Sequence, residues 1–235
     1  MYAISKKRSI HNFTAKINDK PLEQCESYKY LGVYIDKNLS WKPHVNYVST
    51  KISKACGAFS KTRHCVDIAT LKCMYYALVH SYLRYGLIAW GNAASQILQP
   101  LQSLNNRVLR IMTFAPLGRL DTSIIYNHLK ILNVEKTFVL ETCKFIYKSK
   151  NGLLPLHLQS IASHFNRSTP RHSHGTRTRN RNIFSTIPHE YLSEHAQKSI
   201  QCKAVSMWEN TSNCIRDSES LGIFKNSLKS HLLEN

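Results

Sequence analysis

The sequence contains few acidic residues, and no two of its aspartates are adjacent. Its 235 residues include 14 Asp and Glu against 32 Lys and Arg, which gives a formal net charge of +18. Between Asp36 and Asp121 the single acidic residue is Asp67. Hydrolysis and phosphoryl transfer rely on carboxylates that converge on a metal ion or a water molecule. The scarcity of acid argues against an autonomous active site, and we expect no catalytic residue, no metal and no cofactor in this chain.

Other chemical signatures are missing as well. The seven cysteines form no Cys-x-x-Cys pair, and the sequence has no Gly-rich phosphate loop and no His-Glu-x-x-His motif. An odd number of cysteines without a pairing pattern is typical of reduced thiols. No apolar run has the length of a membrane span, and no signal peptide is recognisable. These absences predict an intracellular protein, in the nucleus or the cytoplasm, that is not secreted and does not span a membrane.

The positive charge is concentrated where the acids are missing. Seven basic residues around the first two predicted helices are almost unopposed by acid: Lys37, Lys42, Lys51, Lys54, Lys61, Arg63 and Lys72. Such a surplus favours a polyanion, either nucleic acid or an acidic membrane face. Nearby aromatic side chains, such as Tyr28, Tyr30 and Tyr34, are groups on which bases stack. The alternative is a solvated helix face beside a packed hairpin.

The hydrophobic pattern predicts a mainly α chain with a small N-terminal β element, an α+β fold. Residues 13–17 and 28–35 are β-prone, which predicts a hairpin or a meander with a bulge or a close backbone approach at Gly32. Three apolar stripes with helical spacing follow: Val45, Val48, Ile52, Cys56 and Phe59; Leu71, Tyr75, Leu78, Tyr82 and Tyr85; Leu101, Leu104, Val108 and Ile111. Asp67 is the expected cap of the second helix, and Pro100 the expected start of the third. Three helices of this size can close a bundle.

The second half of the chain predicts further helices around a basic segment. Helices are expected over 123–129 and 134–147, broken by Asn133, and near the C-terminus over 190–208 and 220–232. Between them, residues 167–181 contain five arginines and two histidines with few apolar residues. This composition predicts a basic loop. A metal enzyme that uses its histidines is an open alternative, although no Cys or Glu stands at ligand spacing to them.

One segment resembles a known family. Tyr28-Lys-Tyr-Leu-Gly-Val-Tyr-Ile-Asp36, followed by Leu39-Ser-Trp-Lys-Pro-His44, resembles the segment after the catalytic palm of non-LTR retrotransposon reverse transcriptases, especially the jockey-like group. Further landmarks continue in the same order: Tyr82-Leu-Arg-Tyr-Gly86 with Ala89-Trp90, Leu101-Gln-Ser-Leu-Asn-Asn-Arg107 with Arg110, His174-Gly-Thr-Arg177, Trp208-Glu-Asn, and Phe224-Lys225 with Leu228-Lys229. The resemblance covers nearly the whole chain. Trp208-Glu-Asn departs from the Trp-Asn pair usual in the family.

The resemblance implies a domain plan and a set of binding residues. It implies a palm remnant with a primer-grip β-hairpin over 1–42, a helical thumb-like bundle over 43–115, further helices over 116–160, a basic His/Arg-rich loop over 161–189 and C-terminal helices over 190–235. A thumb follows the nucleic-acid backbone with basic side chains. The residues expected to bind nucleic acid are Tyr30, Leu31, Gly32, Trp41, Lys42, Lys51, Lys54, Lys61, Arg63, Arg177 and Arg179.

The resemblance also bears on activity. The family carries its metal-binding aspartates upstream of the matching segment, and the complete polymerase would use Mg²⁺. We therefore expect a truncated RNA-directed DNA polymerase fragment that is inactive alone. It is expected to bind RNA/DNA hybrid, RNA or DNA non-specifically, with no membrane partner and no small-molecule substrate. The alternatives are a helical protein-interaction module and a functionless relic of the element.

Overall fold

The computed structural model describes residues 16–21, 25–115, 121–156, 158 and 200–234. These residues form a mainly helical structure with small β elements at the N-terminal end, which confirms the predicted fold class. The strands are β1 (Lys16–Ile17), β2 (Lys20–Pro21), β3 (Ser27–Tyr30) and β4 (Val33–Asp36). They pair antiparallel as β1 with β2 and β3 with β4. The predicted strand at 13–17 lies mostly outside the described residues.

The β-prone run 28–35 folds into a hairpin of its own. Leu31 and Gly32 form its turn, with φ angles of 45° and 85°, and positive φ at both central residues matches the twist of a tight antiparallel hairpin. The predicted bulge at Gly32 is therefore wrong. The predicted close backbone approach is confirmed, because a Cβ at Gly32 would lie 3.3 Å from Cε1 of Tyr85.

Helices make up most of the described chain. They are α1 (Lys42–Thr62), α2 (Ile68–Tyr75), α3 (Ser81–Arg84), α4 (Leu87–Trp90), α5 (Ser95–Thr113), α6 (Thr122–Leu129), α7 (Val134–Lys150), α8 (Ile200–Glu209), α9 (Asn213–Arg216) and α10 (Leu221–Glu234). Asp67 caps α2 by accepting the Thr70 N–H at 3.1 Å, as predicted. None of the helices in the described ranges is both long and apolar enough to cross a bilayer.

The third predicted helix begins earlier than expected. Helix α5 starts at Ser95, so Pro100 lies inside it and is not its first residue. A proline within a helix removes one backbone hydrogen bond, here the one to the carbonyl of Gln96. Gln96 lies in the exposed first turn, where water can take the place of the missing donor.

A π-helical turn, Tyr76–His80, joins α2 to α3 and changes the buried register of the second predicted helix. Leu71 and Tyr75 are buried as predicted, but the next buried residues are Val79 and Leu83. A π turn holds more residues than an α turn, so the buried position moves by one. Leu78 and Tyr85, predicted for the core, are 39% and 55% exposed, and Tyr82 is half-buried.

Two hydrophobic clusters hold the helices together. In the first, α1 packs along α5, and the five residues predicted for the apolar face of α1, from Val45 to Phe59, are all buried. The second joins α7 to the C-terminal helices, with the rings of Tyr147 and Phe224 stacked at 4.5 Å. The predicted division of the chain at 42/43, 115/116, 160/161 and 189/190 stays a prediction.

A buried polar network crosses the first cluster. Asn105, which is fully buried, accepts the Tyr75 hydroxyl at 2.9 Å and donates to the Tyr126 hydroxyl at 2.9 Å. Gln102 also donates to Tyr126, and its Oε1 accepts the Val134 N–H at 3.0 Å. A buried polar group is retained at low cost only when it is hydrogen-bonded. The network therefore fixes α2, α5, α6 and α7 relative to one another.

The packing of α4 against α7 depends on a residue without a side chain. A Cβ at Gly91 would lie 2.5 Å from Cδ2 of Phe138 and 2.6 Å from the carbonyl oxygen of Leu87. Both distances are well inside van der Waals contact. The backbone of Gly91 therefore approaches α7 more closely than any other residue type would allow.

Candidate nucleic-acid interface

One flank of α1 carries a stripe of lysines. Three lysines share one side of the helix with Tyr47 and Ala58, because the five residues follow one another in steps of three and four: Tyr47, Lys51, Lys54, Ala58 and Lys61. The stripe is about 21 Å long at the rise of an α-helix. The helix contains no acidic residue, and no ion pair among the described residues involves these lysines. We call this set the α1 stripe.

The hairpin extends this basic surface through two tyrosines. The ring of Tyr47, on α1, lies 5.3 Å from that of Tyr34, on β4. The ammonium of Lys29 stands 5.4 Å from the Tyr47 ring and 5.6 Å from the Tyr34 ring, and that of Lys51 stands 5.4 Å from the Tyr47 ring. Cation–π contacts of this kind hold a lysine head over an aromatic face while it stays accessible to a ligand. Lys29, which sequence reasoning missed, therefore joins the surface of the α1 stripe.

The hairpin tip is held by a hydrogen bond to the end of α3. The hydroxyl of Tyr85 donates to the carbonyl oxygen of Leu31 at 2.6 Å. Tyr30 and Leu31 remain 59% and 72% exposed. The predicted primer-grip residues thus form a fixed tip with accessible side chains.

The base of the hairpin is fixed to the start of α1. The carboxylate of Asp36 accepts the backbone N–H groups of Ser40 and Trp41, at 3.1 and 2.8 Å. Burial of this carboxylate raises its pKa, but the hydrogen bonds from Ser40 and Trp41 together outweigh burial and leave the pKa below its usual value. Trp41 is half-buried against the first cluster, and Lys42 is exposed at the first turn of α1, off the α1 stripe.

His44 makes a second link between α1 and the hairpin. Its Nδ1 accepts the backbone N–H of Tyr34 at 3.4 Å, so the proton of the neutral ring sits on Nε2. The ring is buried and packs edge-on against Trp90, with centroids 5.1 Å apart. Burial lowers the pKa of His44, so the folded protein favours the neutral ring.

The stability of this junction is expected to depend on pH. The folded protein favours neutral His44. The contribution of His44 to the free energy of unfolding is therefore complete above the ordinary histidine pKa of about 6.5, and it is lost as the pH falls through the lower pKa of the folded state. The folded protein favours ionised Asp36. The contribution of Asp36 to the free energy of unfolding is lost in a second pH range, below the usual carboxyl pKa of about 4. Thermal unfolding between about pH 7.5 and pH 5 should show falling stability. In His44→Gln, which keeps an acceptor and has no titrating ring, the fall should be smaller. Equal pH dependence in both proteins would contradict this assignment.

Arg63 lies apart from the α1 stripe. Its guanidinium stands 4.7 Å from the ring centroid of Phe114, and its Nε donates to His64 at 3.1 Å. Together with Ile68 and Ile124 it borders an apolar groove of about 520 Å³. Arg177 and Arg179 lie outside the described residues.

A second group of lysines comes together only in the folded chain. Burial and the nearby charges of Lys72, Lys225 and Lys130 lower the pKa of Lys229 on α10. These four lysines come from α2, the end of α6 and α10. Sequence reasoning missed this group because its members are distant in the chain, although their lack of neighbouring acid is visible in the sequence.

The described residues offer no metal centre. Within the described ranges, no three His, Cys, Asp or Glu side chains lie together as metal ligands. The ligands that a catalytic Mg²⁺ prefers are carboxylate oxygens and water. The described residues therefore do not fit this ion, and we place no chemical step on it. The His-rich segment of the alternative metal enzyme lies outside the described residues.

Comparison with curated proteins finds retrotransposon polymerases. The chain is 25% identical over 158 residues to a probable RNA-directed DNA polymerase from transposon X-element of Drosophila melanogaster, a match covering 66% of this chain and 17% of the relative. It is 26% identical over 127 residues to the probable polymerase from transposon BS of the same organism, covering 53% and 14%. The homologues of this chain are non-LTR retrotransposon polymerases.

A third match agrees with the predicted family. The RNA-directed DNA polymerase from the Drosophila mobile element jockey is 25% identical over 104 residues, covering 43% of this chain and 11% of the relative. The chain spans less than a fifth of the length of these curated polymerases. No protein-family model matches the chain. No solved structure matches it significantly.

Proposed function

We propose that this chain is the primer-grip and thumb portion of a retrotransposon reverse transcriptase and that it binds the backbone of template and primer. The observation that supports this proposal most directly is that four lysines lie on one surface: Lys29, Lys51, Lys54 and Lys61. Among the described residues this surface holds no acid that pairs with them. Its neighbour is a hairpin tip with exposed side chains, in a chain whose homologues are RNA-directed DNA polymerases.

The proposed binding mode is sequence-independent. Lysines contact phosphates and release counterions, which supplies affinity without reading bases. The tip residues Tyr30, Leu31 and Gly32 meet the primer end, and the α1 stripe follows the backbone. Arg177 and Arg179 belong to this proposal as further contacts, together with Trp41, Lys42 and Arg63. The ligand is RNA/DNA hybrid, RNA or DNA inside the cell, in the nucleus or the cytoplasm.

The proposal assigns no catalysis to this chain alone. Its sequence has five aspartates, none adjacent to another, whereas two-metal nucleotidyl transfer needs carboxylates that converge on the ions. The chain therefore binds nucleic acid without polymerising it and needs no cofactor to do so.

Binding across a salt series tests this proposal. The purified chain is titrated against an RNA/DNA hybrid, duplex DNA and single-stranded RNA between about 50 and 200 mM salt. With about four phosphates contacted, affinity for the best ligand should fall roughly a hundredfold over this range. If the chain does not bind nucleic acid at low salt, or if its affinity does not change with salt concentration, the proposal is contradicted. A protein partner that survives nuclease treatment, with no nucleic-acid binding, would instead support the interaction module.

A further inference from the structure

A polar pocket of about 430 Å³ lies where the end of α7 meets α8 and α9. Lys150 and Asn151 line it from the end of α7, Trp208 from α8, and Arg216 with Asn213 from α9. Asp217 is the one carboxylate among its described lining residues. We call this the α7–α9 pocket, and the α1 stripe contributes no residue to it.

Two buried donors at this pocket have no acceptor. Neither Nε1 of Trp208 nor Nε of Arg216 makes a hydrogen bond to any residue that the structure describes. Trp208 is only 7% exposed. By contrast, the indole of Trp90 donates to the Tyr85 carbonyl at 2.9 Å. Because buried N–H groups are nearly always paired, two unpaired donors beside one pocket indicate a ligand that accepts hydrogen bonds.

The charges around the pocket indicate the sign of that ligand. The ammonium of Lys150 stands 4.9 Å from the Trp208 ring centroid. Burial, followed by the neighbouring charge of Arg216, lowers the pKa of Lys150, against the opposite effects of Asp217 and Glu209. Lys150 and Arg216 thus lie close enough for each to make the other's positive charge less favourable, and an anion bound between them would relieve this effect.

We propose that the α7–α9 pocket binds a phosphate group. Its oxygens would accept from the Arg216 guanidinium, the Lys150 ammonium and the Trp208 indole, three donors carried by three different helices. A guanidinium fork suits a phosphate, and the charge of both partners strengthens the hydrogen bonds. The phosphate is either free inorganic phosphate or the terminal phosphate of an oligonucleotide. This inference stands apart from the proposed function, because the α1 stripe takes no part in it.

The indole N–H signals of the protein provide a direct test. The chain has three tryptophans, and Trp208→Phe identifies the signal of Trp208 in a nitrogen-labelled sample of the full chain. Inorganic phosphate should shift this signal saturably and leave those of Trp41 and Trp90 in place. Chloride at the same ionic strength should not shift it. A 5′-phosphorylated oligonucleotide, compared with its 5′-hydroxyl form, distinguishes a terminal phosphate from the free anion.

Variants decide whether the pocket residues form the site. Arg216→Gln and, independently, Lys150→Gln should weaken the phosphate response at least tenfold. Lys203→Gln, an exposed position on the same helix as Trp208, should leave it unchanged. Thermal unfolding checks that each variant is folded, and either pocket variant suffices if the other does not fold. No saturable shift with either phosphate source, or equal shifts in both pocket variants and wild type, would overturn the proposal. Glutamate at Lys51, Lys54 and Lys61 should leave the response intact, which separates this site from the nucleic-acid surface.

Discussion

Replacing Lys51, Lys54 and Lys61 with glutamate is expected to weaken binding of an RNA/DNA hybrid by at least about a hundredfold. These three lysines share one flank of α1 and have no ion-pair partner among the described residues. Each phosphate contact contributes roughly one unit to the slope of log affinity against log salt concentration. Loss of three contacts should therefore reduce this slope by about three units. Fluorescence polarisation of a labelled hybrid across a salt series measures both quantities.

A matched triple separates the α1 stripe from general charge. Lys136→Glu, Lys148→Glu and Lys203→Glu, on α7 and α8, change the net charge by the same amount. This control should lose affinity far less than the stripe variant, because only diffuse attraction is removed. The stripe lysines lie off the buried face of α1, and none of the three control lysines is buried, so both triples should keep the helical content of wild type. If the two triples lose affinity equally, the α1 stripe is not the binding surface.

Gly91→Ala is expected to lower the free energy of unfolding by about 2–4 kcal/mol. The added methyl group would lie 2.5 Å from Phe138 and 2.6 Å from the Leu87 carbonyl. The Leu87 carbonyl belongs to α4 itself, so the end of that helix must change its geometry, and α4 must also move away from Phe138 on α7 to admit the methyl. Thermal or urea denaturation measures the loss, which corresponds to roughly 5–15 °C in Tm for a domain of this size.

Gly57→Ala is the natural control for this substitution. Gly57 lies within α1, and a Cβ there meets nothing within 4 Å. Alanine should therefore stabilise the protein by up to about 1 kcal/mol through its higher helix propensity. A Gly91→Ala protein as stable as wild type would show that α4 does not pack against α7 as described.

The sequence predicts the buried residues most accurately where a single helical spacing continues through a whole helix. All five residues predicted for the apolar face of α1, from Val45 to Phe59, are buried, because an uninterrupted α-helix repeats its buried face at a fixed interval. The same reasoning failed after Tyr75, where a π turn shifts the buried face by one residue. No residue type in this segment signals a π turn. It also missed the tight turn at Leu31, since leucine carries no signal for positive φ.

Several residues of the candidate site were predicted, but the contacts between its elements were not. Lys51, Lys54 and Lys61 were predicted from charge and helical spacing, which are local properties. The approach of Lys29 to Tyr47 depends on how the hairpin docks on α1, and the pocket at Trp208 depends on the meeting of α7, α8 and α9. Such juxtapositions arise from tertiary packing, which pattern reasoning on one sequence does not reach.

The hairpin of β3 and β4 is anchored at both ends. Tyr85 holds its tip through Leu31, and Asp36 holds its base through Trp41. A segment fixed at two points loses its conformational freedom when the protein folds, so little remains to be lost when a ligand arrives. The spacing between the tip and the lysines of α1 is thus set in advance. Under the proposed function, a strand would therefore meet a preorganised surface and not a flap that must close.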